Sequence, residues 1–234
     1  MENGAVDVAV AGGCDSAVSP LALAALWRLG VLSTRHDAPA SACRPFDEGR
    51  DGFVVGEGAA FVVLESRRAA VRRGAPCYGE IAGGGWTCDA EHLTTPAADG
   101  AALAAAARTA VSDAGFGPGD VAQVIAHGTA TITGDEAEAR ALRQVFGDAC
   151  PPVSSIKGAV GHTFGAAGAL QTIVAALALT ERTAPPTTNC DNPDPALGVH
   201  VSSTPAPLAD GPLLCTAYGF GGQNAALVVT AAMT

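Results

Sequence analysis

Short apolar runs alternate along the chain with longer alanine-rich stretches, and glycine or proline separates most of them. Apolar runs of about four to eight residues bounded by turn residues are typical of buried strands, whereas longer periodic stretches favour helices. The pattern predicts strands at residues 6–11, 59–65, 80–83, 121–126, 152–156, 199–203, 213–218 and 225–230. It predicts helices at residues 19–29, 66–73, 100–114, 136–146 and 165–180, with Gly12-Gly13 ending the first strand and a loop at 33–58.

Strands that alternate with helices predict an α/β layered fold with largely buried sheets. A division near Cys77 is expected, giving two structural parts, residues 1–76 and 77–234. The most apolar stretch, residues 165–179, is rich in alanine and glycine and contains Gln171, and no run of 18 apolar residues occurs. We therefore expect no membrane-spanning segment.

Composition adds limits on partners and location. Charged residues make up 15% of the chain, against about 25% in ordinary soluble domains, so another polypeptide is expected to cover part of the surface. The net charge of −10 argues against nucleic acid as a partner. The start, MENGAVDVAV, lacks the pattern of an export signal, which predicts a cytoplasmic location. Seven scattered cysteines without a C-x-x-C pair predict neither a disulfide framework nor a zinc site.

Three segments place titratable or polar residues beside glycines where strands are predicted to end, which is where α/β proteins usually build sites. They are HGTAT at residues 127–131, with Asp135 and Glu138 following; SSIKG at 154–158, with His162 following; and YGFGGQN at 218–224. Taken singly, each has a structural explanation: a satisfied core histidine, a surface lysine, and a tight glycine turn.

A metal site is the chemical alternative for these residues. His127, Asp135, Glu138 and His162 are ligand types that zinc or iron accepts. The chain lacks a short H-x-x-x-H pair or a 2-His-1-carboxylate spacing among them, so no metal is expected.

Together the segments resemble the β-ketoacyl-acyl-carrier-protein synthases of the thiolase superfamily. The resemblance rests on AHGTATITGDEAE followed by SSIKGAVGHTFGAAG, on RPFDEGRDGFVVGEGAAFVVLE at residues 44–65, and on AYGFGGQNAALVV near the end. It covers essentially the whole chain. It implies a thiolase-like αβαβα fold, in which residues 1–76 end the N-terminal half and residues 77–234 form the C-terminal half.

Members of that family hold an acyl group on a cysteine and condense it with a malonyl unit that is decarboxylated on a carrier protein. By resemblance, His127 and His162 hold the malonyl thioester oxygen and stabilise the enolate. Two convergent imidazole N–H donors in a dry pocket can stabilise the negative charge that develops on the enolate oxygen. Lys157 supports the site electrostatically through a hydrogen-bond network, of which Glu138 is the acidic member.

The resemblance also assigns supporting positions. Asp135 is the helix-start neighbour of the acidic residue, and Thr129 and Thr131 line the channel of the pantetheine arm. Phe220 is the gating residue, and its backbone N–H contributes to an oxyanion hole, with Gly219 and Gly221 on either side. No cofactor is implied beyond the phosphopantetheine of an acyl carrier protein.

No cysteine of the chain matches the family's nucleophile, which lies in an Ala-Cys-Ser/Ala-Thr type turn at a helix start. Cys14 and Cys215 lack a helix N-terminus that would lower a thiol pKa, and we expect both to be packing residues. The expected partner is therefore a complementary N-terminal ketosynthase half that carries the cysteine, in a dimer of assembled halves. Contact with an acidic carrier protein would need a local basic patch, such as the arginines at 67, 68, 72 and 73.

Three functions follow from the resemblance. The first is decarboxylative Claisen condensation by a split enzyme in fatty-acid or, preferentially, polyketide assembly. The second is a non-catalytic subunit like a chain-length factor, although such subunits usually lose the catalytic residues that this chain keeps. The third is decarboxylation of malonyl groups alone. Tyr218 and Gln223 stand where many relatives have phenylalanine and threonine, so the acyl substrate stays open.

Overall fold

The computed structural model describes residues 6–232 and shows a mixed α/β architecture, which confirms the predicted class. The strands are β1 (Val8–Asp15), β2 (Gly58–Glu65), β3 (Glu80–Cys88), β4 (Gln123–Ile125), β5 (Val153–Ser154), β6 (Thr183–Ala184), β7 (Ala206–Pro207), β8 (Leu213–Gly219) and β9 (Gln223–Thr230). The helices are α1 (Pro20–Leu29), α2 (Arg67–Arg72), α3 (Ala101–Asp113), α4 (Ile132–Phe146), α5 (Lys157–Val160) and α6 (Ala167–Glu181).

A five-stranded central sheet with the order β3-β9-β8-β4-β5 organises the larger part of the chain. Strand β4 pairs in parallel with both β5 and β8, whereas β9 pairs antiparallel with β8 and β3. Helices α3 and α4 cover one face through a core that includes Leu103, Leu142 and Val124. Helix α6 covers the other face through Ala175 and Leu179. The carboxyl ends of β4, β5 and β8 therefore meet at one edge between two layers of helices.

Strands β1 and β2 form a separate antiparallel ribbon that packs against α6. The register pairs Val10 with Val63 and Gly12 with Phe61, so these side chains lie on one face of the ribbon. Val10, Phe61 and Val63 are each more than half exposed on that face. An apolar sheet face of this kind usually marks a surface that another polypeptide covers.

Helix α6 is the central apolar helix of the fold. By length and composition alone, Phe164–Glu181 would qualify as a membrane span, with a mean hydropathy of 1.4, but a core helix meets the same test. The buried Gln171 amide donates hydrogen bonds to the carbonyls of Ala126, at 2.7 Å, and Thr216, at 3.1 Å. These bonds tie α6 to the central sheet, as expected of a core helix.

Two strand predictions are wrong. Strand β1 continues through Gly12 and Gly13 to Asp15. A Cβ atom at Gly13 would overlap the carbonyl oxygen of Gly165, so this glycine permits close approach of another segment rather than ending the strand. Residues 199–203 form no strand among the described residues, because only Val201 makes a bridge, to Val153.

Two helices near the predicted motifs also differ from the expectation. Helix α4 begins at Ile132 rather than 136, because the Thr131 hydroxyl caps it by accepting a hydrogen bond from the Gly134 N–H. The short helix α5, which begins at Lys157, was not predicted at all. Both differences place polar motif residues at helix starts.

Candidate active site

The three predicted motifs come together at the carboxyl edge of the parallel strands. His127 follows β4, Lys157 begins α5 just after β5, and His162 lies in the turn after α5. That turn is held by two backbone hydrogen bonds, from His162 N–H to the Val54 carbonyl at 2.8 Å and from Gly56 N–H to the His162 carbonyl at 2.9 Å. The segment around residues 54–56 therefore fixes the position of the second imidazole.

Glu138, on the second turn of α4, anchors the loop that carries His127. Its fully buried carboxylate accepts hydrogen bonds from the His127 N–H at 2.8 Å, the Gly128 N–H at 2.7 Å and the Thr216 hydroxyl at 2.6 Å. Burial raises the pKa of Glu138, and the three donors together with the Lys157 charge oppose that rise. The carboxylate thus holds the backbone of the His127 loop without lining the cleft.

Lys157 is buried beneath His127. Its Nζ donates to the His127 carbonyl oxygen and lies 3.4 Å from His127 Nδ1. Burial lowers the pKa of this lysine to about 8, and the nearby Glu138 carboxylate acts in the opposite direction. A positive charge at this point favours the imidazole tautomer with Nδ1 as acceptor.

His127 and His162 face each other as neutral imidazoles. Their ring centroids lie 5.3 Å apart with an interplanar angle of 84°. His162 Nδ1 accepts the Phe164 N–H at 3.2 Å, which assigns the proton to Nε2, as the lysine does for His127. Burial lowers the pKa of His127 well below its usual value and that of His162 to about 3, with the lysine charge adding to both shifts. Two neutral N–H donors are suited to an oxygen that becomes negative.

Asp135 lies behind the site rather than in it. Its buried carboxylate accepts the Phe46 N–H at 2.7 Å and the Ala130 N–H at 3.1 Å. Burial raises its pKa to about 7, and the proximity of Glu138 adds to that rise. Phe46 is fully buried and has a positive φ of 63°, a backbone conformation that residues other than glycine rarely adopt. The hydrogen bond from its N–H to Asp135 therefore holds a strained turn in place.

A cleft of about 750 Å³ opens over the histidine pair. Of the predicted site residues, those that line it are His127, His162, Thr129, Thr131, Gly219 and Phe220. The Thr129 and Thr131 hydroxyls are 2.9 Å apart, and Phe220 is half-exposed at the rim. Gly221 has a φ of 88° and donates its N–H to the Leu93 carbonyl at 2.7 Å, so it shapes the rim turn without lining the cleft.

No cysteine of the described chain lines this cleft. Burial raises the pKa of Cys43 and Cys150 to about 11 and of Cys190 and Cys215 to about 12, so these thiols are not activated. Cys14, Cys77 and Cys88 are exposed and lie outside the lining. Within residues 6–232, no group of three or more histidine, cysteine or acidic side chains is arranged to hold a metal ion.

Two supporting residues were missed by sequence reasoning. Thr216, in the middle of β8, donates to Glu138, and Gln171, in α6, binds the carbonyl of Ala126 just before His127. Each is a polar residue within a largely apolar element, and the sequence carries no other signal for it. Their partners lie 78 and 45 positions away along the chain, so the pairing depends on the tertiary fold.

The layered α/β architecture around a mixed five-stranded sheet belongs to the thiolase-like fold class. The profile described as "Beta-ketoacyl synthase, N-terminal domain" matches residues 1–70, and that of "Beta-ketoacyl synthase, C-terminal domain" matches residues 78–191. The chain belongs to the β-ketoacyl synthase family.

Individual relatives agree. The chain is 41% identical over 230 residues to the 3-oxoacyl-[acyl-carrier-protein] synthase 2 of Vibrio cholerae, covering 96% of this chain and 56% of the relative. It is 38% identical to the chloroplastic synthase I of Hordeum vulgare, over 97% of this chain and 50% of the relative. The chain thus spans about half the length of the curated relatives it matches.

Solved structures give the same result. A β-ketoacyl synthase from Burkholderia phymatum superposes with a TM-score of 0.93 at 36% identity, over 99% of this chain and 56% of that one. A chain from the AntDE:AntF complex, a type II polyketide acyl-carrier protein with its ketosynthase, superposes with a TM-score of 0.93 at 32% identity, over 99% of this chain and 58% of that one. A chain from the structure of the ketosynthase ApeO in complex with its chain length factor ApeC superposes with a TM-score of 0.85 at 30% identity, over 99% of this chain and 55% of that one.

Proposed function

We propose that the chain takes part in decarboxylative Claisen condensation of a malonyl thioester on an acyl carrier protein with an acyl thioester. The neutral histidine pair carries this proposal. When the C–C bond to the malonyl carboxylate breaks, CO2 leaves and the electron pair moves to the thioester oxygen. Nε2–H donors on His127 and His162 would meet that oxygen, and they stabilise it more than the uncharged ground-state carbonyl.

Lys157 and Glu138 would keep this pair ready for reaction. The ammonium directs the His127 proton to Nε2, and the carboxylate holds the His127 loop by its backbone. The enolate carbon then attacks the acyl thioester carbon, a C–C bond forms, and the thiolate of the acyl-bearing cysteine leaves. We assign Thr129 and Thr131 to the pantetheine arm, and Phe220, between Gly219 and Gly221, to the entrance and the oxyanion hole of the acyl thioester.

We propose that the cysteine comes from a complementary N-terminal ketosynthase half on a partner chain, in a dimer of assembled halves. Two observations support a complementary segment. No cysteine of residues 6–232 lines the cleft, and the β1–β2 ribbon presents the exposed apolar side chains of Val10, Phe61 and Val63. The assembly would work on carrier-bound substrates in the cytoplasm, without metal, nucleic acid or membrane.

The basic cluster on α2 offers limited attraction to an acidic carrier protein. Arg73 pairs with Glu65 at 2.6 Å, and Arg67 lies 3.8 Å from Glu80. Because carboxylates offset part of the cluster's charge, the carrier contact is expected to depend on other surfaces of the assembly as well.

Reconstitution tests the proposed reaction. The assembled enzyme, given acyl- and malonyl-carrier protein, should release CO2 and form a β-ketoacyl product detectable by mass spectrometry. His127→Ala and His162→Ala should each abolish the product, whereas His200→Ala, an exposed histidine outside the cleft, should not. Unchanged product formation with His162→Ala would instead indicate a non-catalytic, chain-length-factor-like subunit. Release of CO2 without a β-ketoacyl product would indicate a decarboxylase.

The partner chain needs its own test. The mass of the active species, measured by native mass spectrometry, should correspond to this chain together with a second polypeptide that carries an acyl-labelled cysteine. A single continuous polypeptide that carries both the labelled cysteine and this sequence would refute the partner-chain arrangement and leave the chemistry intact.

A further inference from the structure

Three hydroxyl groups converge at the first turn of α4. The Thr131 hydroxyl accepts the Gly134 N–H at 3.2 Å and lies 2.9 Å from the Thr129 hydroxyl. A Cβ atom at Gly134 would overlap the Thr131 oxygen and lie 3.0 Å from both the Thr129 oxygen and the Tyr218 hydroxyl. The glycine is therefore required here because the hydroxyls of Thr129, Thr131 and Tyr218 occupy its surroundings.

Tyr218 is the member of this cluster that the proposed mechanism does not use. Its ring lies 4.2 Å from that of His127, centroid to centroid, and it lines the cleft. The hydroxyl is buried and, among residues 6–232, makes no hydrogen bond of standard geometry. The Tyr218 and Thr129 hydroxyls flank one point, since each lies 3.0 Å from where a Cβ of Gly134 would be. Burial raises the pKa of Tyr218 well above its usual value, and the neighbouring Thr129 hydroxyl opposes that rise. The phenol therefore stays protonated and has a proton to donate.

Counting donors and acceptors gives the cluster a direction. A hydroxyl has one proton and two lone pairs. The Thr129 oxygen accepts the Thr131 N–H at 3.4 Å; if it also accepts the Tyr218 proton, both of its lone pairs are used. Its own proton must then go to the Thr131 oxygen, which already accepts the Gly134 N–H. Both lone pairs of Thr131 are then used as well, and its proton is left for the cleft.

We propose that Tyr218 is a positioning residue that fixes the chain Tyr218→Thr129→Thr131, so that Thr131 presents an O–H donor to the cleft. The matching ligand group is a hydrogen-bond acceptor, an amide carbonyl oxygen of the pantetheine arm. This inference rests on the proposed function for the identity of the arm. Without the Tyr218 proton the two threonine hydroxyls can reverse, and Thr131 no longer presents a fixed donor.

The kinetic test compares Tyr218→Phe with Tyr78→Phe, which alters the exposed second tyrosine of the chain. In the assembled enzyme, Tyr218→Phe should raise the KM for malonyl-carrier protein about threefold to tenfold, the range of one neutral hydrogen bond, with kcat within about twofold. Tyr78→Phe should change neither. A fall in kcat with KM unchanged, or equal effects of the two variants, would overturn the inference while leaving the condensation reaction demonstrated.

A double-mutant cycle separates positioning from simple packing. Thr131→Val should raise KM by itself, and adding Tyr218→Phe should then have no further effect, because the chain is already interrupted. Thr131→Ser, which keeps the hydroxyl, should raise KM less than Thr131→Val does. Additive effects of the two substitutions would contradict a shared chain of hydrogen bonds.

A binding measurement covers the case in which no condensation occurs. Titration of the purified protein with S-acetyl-pantetheine, followed by NMR, should show weaker binding by Tyr218→Phe, again about threefold to tenfold, and unchanged binding by Tyr78→Phe. If the unaltered enzyme makes no product but this difference holds, the proposed reaction fails and the positioning role stands. If unaltered and Tyr218→Phe proteins bind equally, the positioning role fails.

Discussion

The most direct consequence of the buried network concerns Glu138→Gln. The carboxylate accepts three hydrogen bonds, from the N–H groups of His127 and Gly128 and from the Thr216 hydroxyl. Glutamine has the same shape, but its NH2 group must face at least one of these donors. A buried donor left unpaired costs about 1–3 kcal/mol. Lys157 also loses the negative charge that most opposes the lowering of its pKa.

The magnitude follows from these two losses. Removing one partner of a buried charge pair costs about 3–5 kcal/mol, while burial, which raises the pKa of Glu138, already opposes its charge. We therefore expect a fall in the free energy of unfolding near the lower end, about 3 kcal/mol. Urea denaturation followed by circular dichroism should show the midpoint lowered by about 1–3 M, given m-values of about 1–3 kcal/mol/M.

Glu136→Gln is the matched control on the same helix. Glu136 is partly exposed and pairs with Arg140 at 3.1 Å, an arrangement worth about 0–1 kcal/mol. If Glu138→Gln shifted the urea midpoint no more than Glu136→Gln does, the carboxylate would not be the anchor of the His127 loop, and the account of the network would be wrong.

Three further predictions concern pH and packing. Because the pKa of Lys157 is lowered to about 8, the rate of malonyl decarboxylation should fall above about pH 8. Lys157→Arg should move that fall to higher pH. The same midpoint in the pH–rate profiles of the variant and the unaltered protein would contradict the assignment of the fall to Lys157. The pKa of His162 is lowered from its usual value of 6.5 to about 3, so its contribution to stability is complete above pH 6.5 and is lost as pH falls towards 3. His162→Gln should therefore flatten the decline of the urea midpoint between these pH values, and an unchanged slope would contradict it. A Cβ at Gly13 would overlap the Gly165 carbonyl, close to His162. Gly13→Ala should therefore lower the rate of decarboxylation at least tenfold, the effect of about 1.4 kcal/mol on the barrier. Gly119→Ala, whose Cβ would meet nothing within 4 Å, should leave the rate unchanged, and equal rates for the two variants would refute the packing argument.

The fold class could be predicted because alternation of strands and helices is a local pattern. The errors arose where a distant segment decides the local structure. Gly13 lies within a strand that pairs with β2, and its missing side chain admits the residue 165 backbone. Residues 199–203 form no strand because only Val201 makes a bridge, to Val153. Neither neighbour can be identified from the local sequence, since propensity and periodicity carry no information about long-range approach.

The site divides in the same way. His127, Lys157 and His162 could be proposed from motifs, because each lies beside glycines after a predicted strand. The groups that hold the two carboxylates could not, since the donors to Glu138 and Asp135 include the Thr216 hydroxyl and the Phe46 N–H, 78 and 89 positions distant along the chain. Motifs indicate which side chains meet the substrate, whereas the fold decides which groups hold them.

The segment at residues 44–56 bears on how such a site can be assembled. It was predicted to belong to the first half, yet Phe46 binds Asp135, the Gly52 N–H donates to the Ala130 carbonyl at 2.9 Å, and the Val54 carbonyl holds the His162 backbone. The loops of both histidines therefore depend on residues before the boundary predicted near Cys77. Separation of the chain at that boundary would remove the wall behind both imidazoles, whereas a complementary segment that docks on the exposed β1–β2 face would leave these contacts intact. Any assembly that completes the cleft should accordingly retain residues 44–56 together with the C-terminal half.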